Sequence, residues 1–344
     1  INKKIMMAAQ LREDKKVNIY SIDFKEKVSF DLNNFKKIKE KSWANYIIGV
    51  FDQFIKRGND LTGVNIVFSG DIPLGAGLSS SAALEVVTAV MISNLNNIDI
   101  SGVETALLCQ KAENDFVGVN SGLMDQYISR LGQKDKALLI DCRSNEYKEV
   151  LFADDAYQLV IADTKVSREL VDSEYNKRRK ECNKAVEFFD NNINKKIDSL
   201  RDISYDDYKK YEKELQGFNE NAAKRAKHVI KENKRVLDSV KAIESGDFSK
   251  LGRLMNESHQ SLRDDYEVSS KELDLMVEIA RKEGSLGSRM TGAGFGGCTV
   301  SLVKKENTSV FKENLKKLYK KESGIEADIY ISSPENGAGQ VEIK

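Results

Sequence analysis

Residues 63–95, "GVNIVFSGDIPLGAGLSSSAALEVVTAVMISNL", restrict the fold more than any other stretch. The β-branched run from Val64 to Phe68 reads as a short strand, and the apolar run from about Ser80 to Leu95 reads as a helix. Between them come Pro73, Gly75 and Gly77, then Ser79, Ser80 and Ser81. A glycine-rich turn from a strand to a helix N-terminus points free backbone N–H groups at one spot. The helix dipole adds positive potential there, a setting suited to phosphate. Serine hydroxyls can cap the helix, donate to phosphate oxygens or ligate Mg²⁺. Taken alone, the stretch reads as an N-capped helix start that needs no ligand. A nucleophilic serine is disfavoured, because G-x-S-x-G is absent and His228 and His259 are the only histidines. A Walker A loop is excluded, because no G-K-[ST] follows the glycines.

The rest of the chain fixes the class. "KIMMAAQL", "KVNIYSIDF" and "EKVSFDL" read as strands in an antiparallel arrangement, and "SWANYIIGVFDQFIKRG" as a helix closed by glycine. "SGVETALLCQKAENDFVG" opens on a capping box, Ser101 with Glu104 three residues on. "ALLIDC" and "YQLVIADT" read as strands. From about Asp172 to about Glu283 the pattern is helical, and strands return in "CTVSLV", "EADIYIS" and "QVEI", with the helix "TSVFKENLKKLYKKESG" between the first two. This predicts an α+β fold of two domains, 1–155 and 156–344.

Composition removes several partners. Lys plus Arg and Asp plus Glu each number 54, so no basic surplus favours nucleic acid or a membrane surface. No apolar run reaches the length of a membrane span. Two histidines are too few for a His-based metal site. Cys109, Cys142, Cys182 and Cys298 form no CxxC and read as reduced thiols of a cytoplasmic protein.

A second glycine cluster, "SRMTGAGFGGCTVSLV", fits G-x-G-x-x-G through Gly292, Gly294 and Gly297. A strand follows it instead of a helix, so the dinucleotide context is missing. It reads either as a tight turn or as a glycine-rich wall of a ligand site. Glu113 ends a predicted helix, and Asp125 starts the next after a glycine-containing turn. Phosphoryl transfer needs a carboxylate near the metal and one that orients or deprotonates the attacking hydroxyl. Taken alone, the pair is equally a solvated Glu and an N-cap Asp.

Together these segments resemble the GHMP kinase superfamily, named for galacto-, homoserine, mevalonate and phosphomevalonate kinases. "PLGAGLSSSAALE" is similar to its ATP-phosphate loop and "SRMTGAGFGGCTVSLV" to its glycine-rich third motif. Within it, "SWANYIIGV", "CQKAENDFVGVNSGLMDQYIS", "ALLIDCRS", "SEYNKRRKEC" and "MNESHQSLRDDYEVSSKELD" resemble the galactokinase family, in the expected order over most of the chain. The resemblance implies transfer of the ATP γ-phosphoryl group to the C1 hydroxyl of galactose. It implies Ser81 and Glu113 as Mg²⁺ ligands, and backbone of Gly75, Ala76, Gly77, Leu78, Ser79 and Ser80 around the nucleotide phosphates. It implies Trp43 and Tyr46 beside the adenine, whose plain reading is core packing. It further implies Asp125 as catalytic base at the sugar, Gly122 and Tyr175 as sugar contacts, and Gly292 and Gly294 closing on the ligands. The implied protein has the two-domain GHMP kinase fold with its active site in the cleft between the domains, and is a cytoplasmic monomer acting on ATP and galactose.

The family's N-terminal "GEHTDY"-type signature does not occur in these 344 residues, which open "INKKIMMAAQ" like the strand just beyond it. The natural protein is therefore expected to begin earlier. That signature supplies an arginine at the transferred phosphate, a cation worth a rate factor on the order of 10³ or more. This chain by itself is expected to bind ATP weakly and phosphorylate galactose poorly. Two alternatives stay open on the sequence: a kinase for N-acetylgalactosamine, galacturonate or arabinose, and a non-catalytic sugar sensor.

Overall fold

The computed structural model describes residues 1–73, 77–119, 121–152, 156–166 and 171–341, with only the backbone described at 171–173. The chain forms two compact units. One is built from Ile1–Leu74, Leu78–Phe152 and Ser333–Lys344, the other from Gly75–Gly77 and Ala153–Ser332. The segment from Ser333 onward thus joins the first unit, where the sequence reading had placed it in the second.

The first unit holds strands β1 (Ile5–Leu11), β2 (Lys16–Ser21), β3 (Glu26–Asp31) and β4 (Val64–Gly70) in the order β1-β4-β2-β3. The expected antiparallel arrangement of the first three strands holds in direction, although β1 and β2 are not neighbours. β4 inserts between β1 and β2, antiparallel to the first and parallel to the second. Of the three, only β2 and β3 form a neighbouring antiparallel pair. The reason is local. The β1–β2 link passes over the start of β4, with Gly63 N–H donating to the Asp14 carbonyl at 2.9 Å and Arg12 N–H to the Gly63 carbonyl at 2.8 Å. A Cβ at Gly63 would lie 2.3 Å from that Asp14 oxygen, so glycine is what lets the link close there.

Alternation then decides the layers. Val17 and Ile19 of β2 and Val64, Ile66 and Phe68 of β4 face inward. They meet helices α1 (Ala44–Lys56) and α2 (Ser80–Leu95), which contribute Ile47, Val50, Phe51, Phe54, Val86 and Ile92 to the same core. The expected capping box is present on α3 (Gly102–Lys111): Ser101 Oγ accepts from Glu104 N–H, and the Glu104 carboxylate accepts from Ser101 N–H. α3 runs on into a π-helical turn, Ala112–Val117, closed by Gly118. α4 (Met124–Leu131) and the hairpin β5 (Lys136–Ile140) and β6 (Tyr147–Leu151) complete the unit.

The second unit has an antiparallel sheet of β7 (Tyr157–Asp163), β8 (Gly287–Met290), β9 (Cys298–Lys304) and β10 (Asp328–Ser332), ordered β10-β7-β9-β8. Helix α5 (Val171–Asn192) precedes α6 (Tyr205–Phe218), α7 (Glu220–Glu244) and α8 (Phe248–Ser261), the helical stretch foreseen in the sequence. A π-helical turn, Leu262–Tyr266, leads to α9 (Lys271–Lys282), and α10 (Thr308–Ser323) lies between β9 and β10. Met276, Ile279, Phe311, Leu315 and Tyr319 from α9 and α10 cover the sheet. Of the expected strand "QVEI", Gln340 and Val341 are in no strand, and the rest lies outside the described residues.

Candidate active site

The loop that opened the sequence reading leads into α2 as expected, but not by the expected cap. Ser79 occupies the N-cap position at φ 61°, ψ 39°, and no side chain caps the helix. The first-turn N–H groups therefore lack the usual internal acceptor. A non-glycine residue held in the left-handed region is a strained choice that recurs at ligand clamps. Gly77 and Leu78 precede it, while Gly75 and Ala76 lie outside the described residues.

Ser80 and Ser81 start α2, and Ser81 precedes Glu85 by four residues, so the two share one helix face. Glu85 is fully buried, and sequence reasoning missed it as a site residue. Gln126 Nε2 donates to Glu85 at 3.1 Å and to Glu113 Oε2 at 2.8 Å. One amide thus ties the start of α2, the π turn after α3 and the start of α4. Burial, with the Glu113 charge close by, pushes the Glu85 carboxyl well above the usual carboxylate range, and the Gln126 bond only partly offsets this. Glu85 Oε1 and Gln126 Oε1 are buried and accept no hydrogen bond among the described residues. Asp125, next to Gln126, lies close enough to raise Glu85 further, yet makes no hydrogen bond or ion pair with another described residue. Gly122 lies in the preceding turn, exposed, with open space where a side chain would go. That turn is held by Ser121 N–H donating to Asn114 Oδ1 at 2.9 Å.

Trp43 and Tyr46 part company. Tyr46 lies near enough to Glu113 and Glu85 for their charges to add to the upward shift that burial gives its hydroxyl. Trp43 instead donates from Nε1 to Glu26 at 2.7 Å and stacks on Phe24 with ring centres 5.7 Å apart. It also packs against Phe68. No element of the sequence marked Phe24 or Glu26 as its partners.

In the second unit, Gly292 and Gly294 lie in the hairpin between β8 and β9, whose turn also holds Phe295 at φ 59°. Gly294 has φ 89°, and a Cβ on it would lie 2.1 Å from the Val268 carbonyl oxygen. Phe295 N–H donates to that same oxygen at 2.7 Å. Tyr175 lies on α5, near enough to Tyr266 to add to the upward shift that burial gives the Tyr266 hydroxyl.

Among the described residues, no three Asp, Glu, His or Cys side chains converge on a metal. A Mg²⁺ held largely by phosphates and water needs only one or two protein ligands. Glu113, with Oε2 taken by Gln126 and its second oxygen without a hydrogen bond among the described residues, fits that requirement. No helix among the described residues is long and apolar enough to cross a membrane.

Residues 45–133 match the GHMP kinases N terminal domain and residues 239–321 the GHMP kinases C terminal domain. The galactokinase of Fusobacterium nucleatum is 44% identical over 335 residues, covering 96% of this chain and 85% of that protein. That of Clostridium acetobutylicum is 43% identical over 336 residues, with the same shares covered. The structure of Lactococcus lactis galactokinase, solved with galactose, matches with a TM-score of 0.93 at 37% identity, covering 99% of this chain and 88% of that one. Methanococcus jannaschii mevalonate kinase shares the fold alone, with a TM-score of 0.63 at 19% identity, covering 96% of this chain and 89% of that one. A two-unit chain similar over nearly its whole length to proteins of one kind, with its acids gathered beside an uncapped helix, belongs to the galactokinase family of GHMP kinases, the ATP-dependent sugar kinases.

Proposed function

We propose that the chain transfers the γ-phosphoryl group of ATP to the C1 hydroxyl of α-D-galactose, giving galactose 1-phosphate and ADP. The observation that carries this reading is the Gln126 bridge between Glu85 and Glu113, since it turns the Ser81 face of α2 toward the acids. Asp125 accepts the C1 hydroxyl proton as that oxygen attacks the γ-phosphorus, and the bond to the β-phosphate oxygen breaks. The unengaged carboxylate of Asp125 supports this role.

Ser81 and Glu113 would hold Mg²⁺, which supplies charge neutralisation to the phosphates when bound. The backbone of Gly75, Ala76, Gly77, Leu78, Ser79 and Ser80 takes the phosphate oxygens, a role that the uncapped start of α2 supports. Tyr46 and Trp43 serve the adenine, Gly122 and Tyr175 the sugar, and Gly292 and Gly294 the closing of the site. Four free cysteines support a reducing compartment, and we place the enzyme in the cytoplasm as a monomer.

A phosphorylation assay over galactose, N-acetylgalactosamine, galacturonate and arabinose tests the reading. Galactose 1-phosphate is the expected main product. Asp125→Asn is expected to lower kcat by roughly 10²–10⁴-fold while ATP binding, measured by calorimetry, is retained. Turnover of another sugar in preference, or an active Asn variant, would refute the assignment.

A further inference from the structure

The hairpin that carries Gly292 and Gly294 is not held by its own turn alone. Its position is set by Val268, which accepts the Phe295 N–H and leaves no room for a side chain on Gly294. Val268 follows a turn under strain. The π-helical turn Leu262–Tyr266 ends on Glu267, a non-glycine residue at φ 55°. Such a conformation persists only where its surroundings over-determine it.

Two buried arginines do so. Arg225, 1% exposed, donates to the Glu267 carboxylate at 2.8 Å, to the Asp265 carbonyl at 2.6 Å and to Glu181 at 2.7 Å. Arg178 donates from Nε to the Tyr266 carbonyl at 2.9 Å and from a terminal nitrogen to the Glu267 carbonyl at 2.8 Å. Its guanidinium also lies 6.0 Å from the centre of the Phe295 ring. A rigid planar fork can grip two successive carbonyls and face a ring at once, which an ammonium cannot. Arg178 follows Tyr175 by three residues on α5, so both project from one side of that helix.

We infer that Arg178 is a positioning residue for phosphoryl transfer, locking the helix that presents Tyr175 to the glycine-rich hairpin through the 266–268 turn. The inference rests on the reading that Tyr175 and this hairpin meet the substrates. It accounts for a cost that folding alone does not require. The Arg178 guanidinium also donates to Glu174 at 3.2 Å and lies 3.8 Å from Glu181, so its charge is met on its own helix while its other two nitrogens are given to main-chain carbonyls of a strained turn, where an apolar side chain would supply only packing.

Arg178→Lys keeps the charge and loses the fork, and Arg178→Met keeps the stem alone. In the Lys variant, melting close to wild type is expected, with amide hydrogen exchange at Phe295 roughly tenfold faster or more, the equivalent of one charge-assisted hydrogen bond. KM for the sugar is expected to rise by about the same factor, with a smaller change in kcat, and the Met variant to go further in the same direction. Unchanged Phe295 protection overturns the inference, as does faster exchange with unaltered KM. Activity lost only in proportion to the folded fraction also overturns it, since that is a merely structural role. Failure of the galactose reading shows separately, as a wild-type enzyme that phosphorylates a different sugar. KM for that sugar and exchange at Phe295 then decide the inference.

Discussion

At the scale of single residues, the decisive group is one that the linear sequence hides. Glu85 sits in "SAALEVVTA", where the neighbours are apolar and nothing signals a role. Its environment depends on Gln126, distant in sequence, and on a π turn that places Glu113 beside it. Asp125 and Glu113 stand out as candidates in the sequence because each lies at a helix end beside a glycine-containing turn. Glu85 does not, because a buried acid within a helix looks like an interruption until its partner is known. Its folded carboxyl titrates above the ordinary value of 4.5. The stability tied to it is therefore fully present below pH 4.5 and is lost as pH rises through the raised value. Glu85→Gln keeps the shape and removes the titration. The variant is expected to melt no lower than wild type at neutral pH and to have a flatter dependence of Tm on pH above 4.5. Glu85→Ala leaves a cavity and strands a Gln126 donor, at a cost of about 2–4 kcal/mol. A Gln variant that melts as low as the Ala variant at neutral pH would show that Glu85 is needed as a carboxylate.

At the scale of elements, periodicity found most strands and the helices α1, α2, α3 and α10, and gave α5 to α9 only as one helical stretch. It recovered α2 and the capping box of α3, because capping chemistry and an apolar run are local signals. It failed on strand order. The three early strands read as antiparallel with no order among neighbours, and β4 lies between β1 and β2, where its three inward apolar residues suit the centre of the sheet. Non-local pairing of that kind leaves no mark on spacing. β8 was missed for another reason, since four residues are too few to show alternation. The glycine hairpin it feeds was visible as a turn, but the need for glycine at 294 comes from Val268 across the loop. Gly294→Ala is therefore expected to cost about 1–3 kcal/mol through backbone strain, with displacement of Val268 added to it. Chemical denaturation measures this. A variant as stable as wild type would mean that the hairpin relaxes freely, and that Val268 does not fix it.

At the scale of the whole molecule, the two units carry opposite responses to pH. In the first, burial raises the Glu85 carboxyl above its ordinary range, so raising the pH removes stability. In the second, His228 is the counterpart. It is 6% exposed, stacks on Tyr266 with ring centres 4.6 Å apart, and lies 3.0 Å from Ser261 Oγ through Nδ1. The Ser261 hydroxyl donates its proton to Asp265, so the imidazole must donate from Nδ1 and is neutral with Nε2 bare. Burial pulls its pKa from 6.5 down to about 4, with Arg235 and Arg289 adding to the shift and Glu232 and Asp265 opposing it. The unfolded chain takes up a proton near pH 6.5 that the folded unit refuses until about pH 4. Stability is therefore present above 6.5 and lost as pH falls through that window, by about 3 kcal/mol in full. His228→Asn retains a donor toward Ser261 and does not titrate. It is expected to melt lower than wild type at pH 7, where packing on Tyr266 is lost, and to lose less than wild type between pH 6.5 and pH 5. Melting curves of both proteins at half-unit steps of pH decide the matter. Parallel curves across that window would mean that His228 takes up its proton in the folded unit as readily as in the unfolded chain.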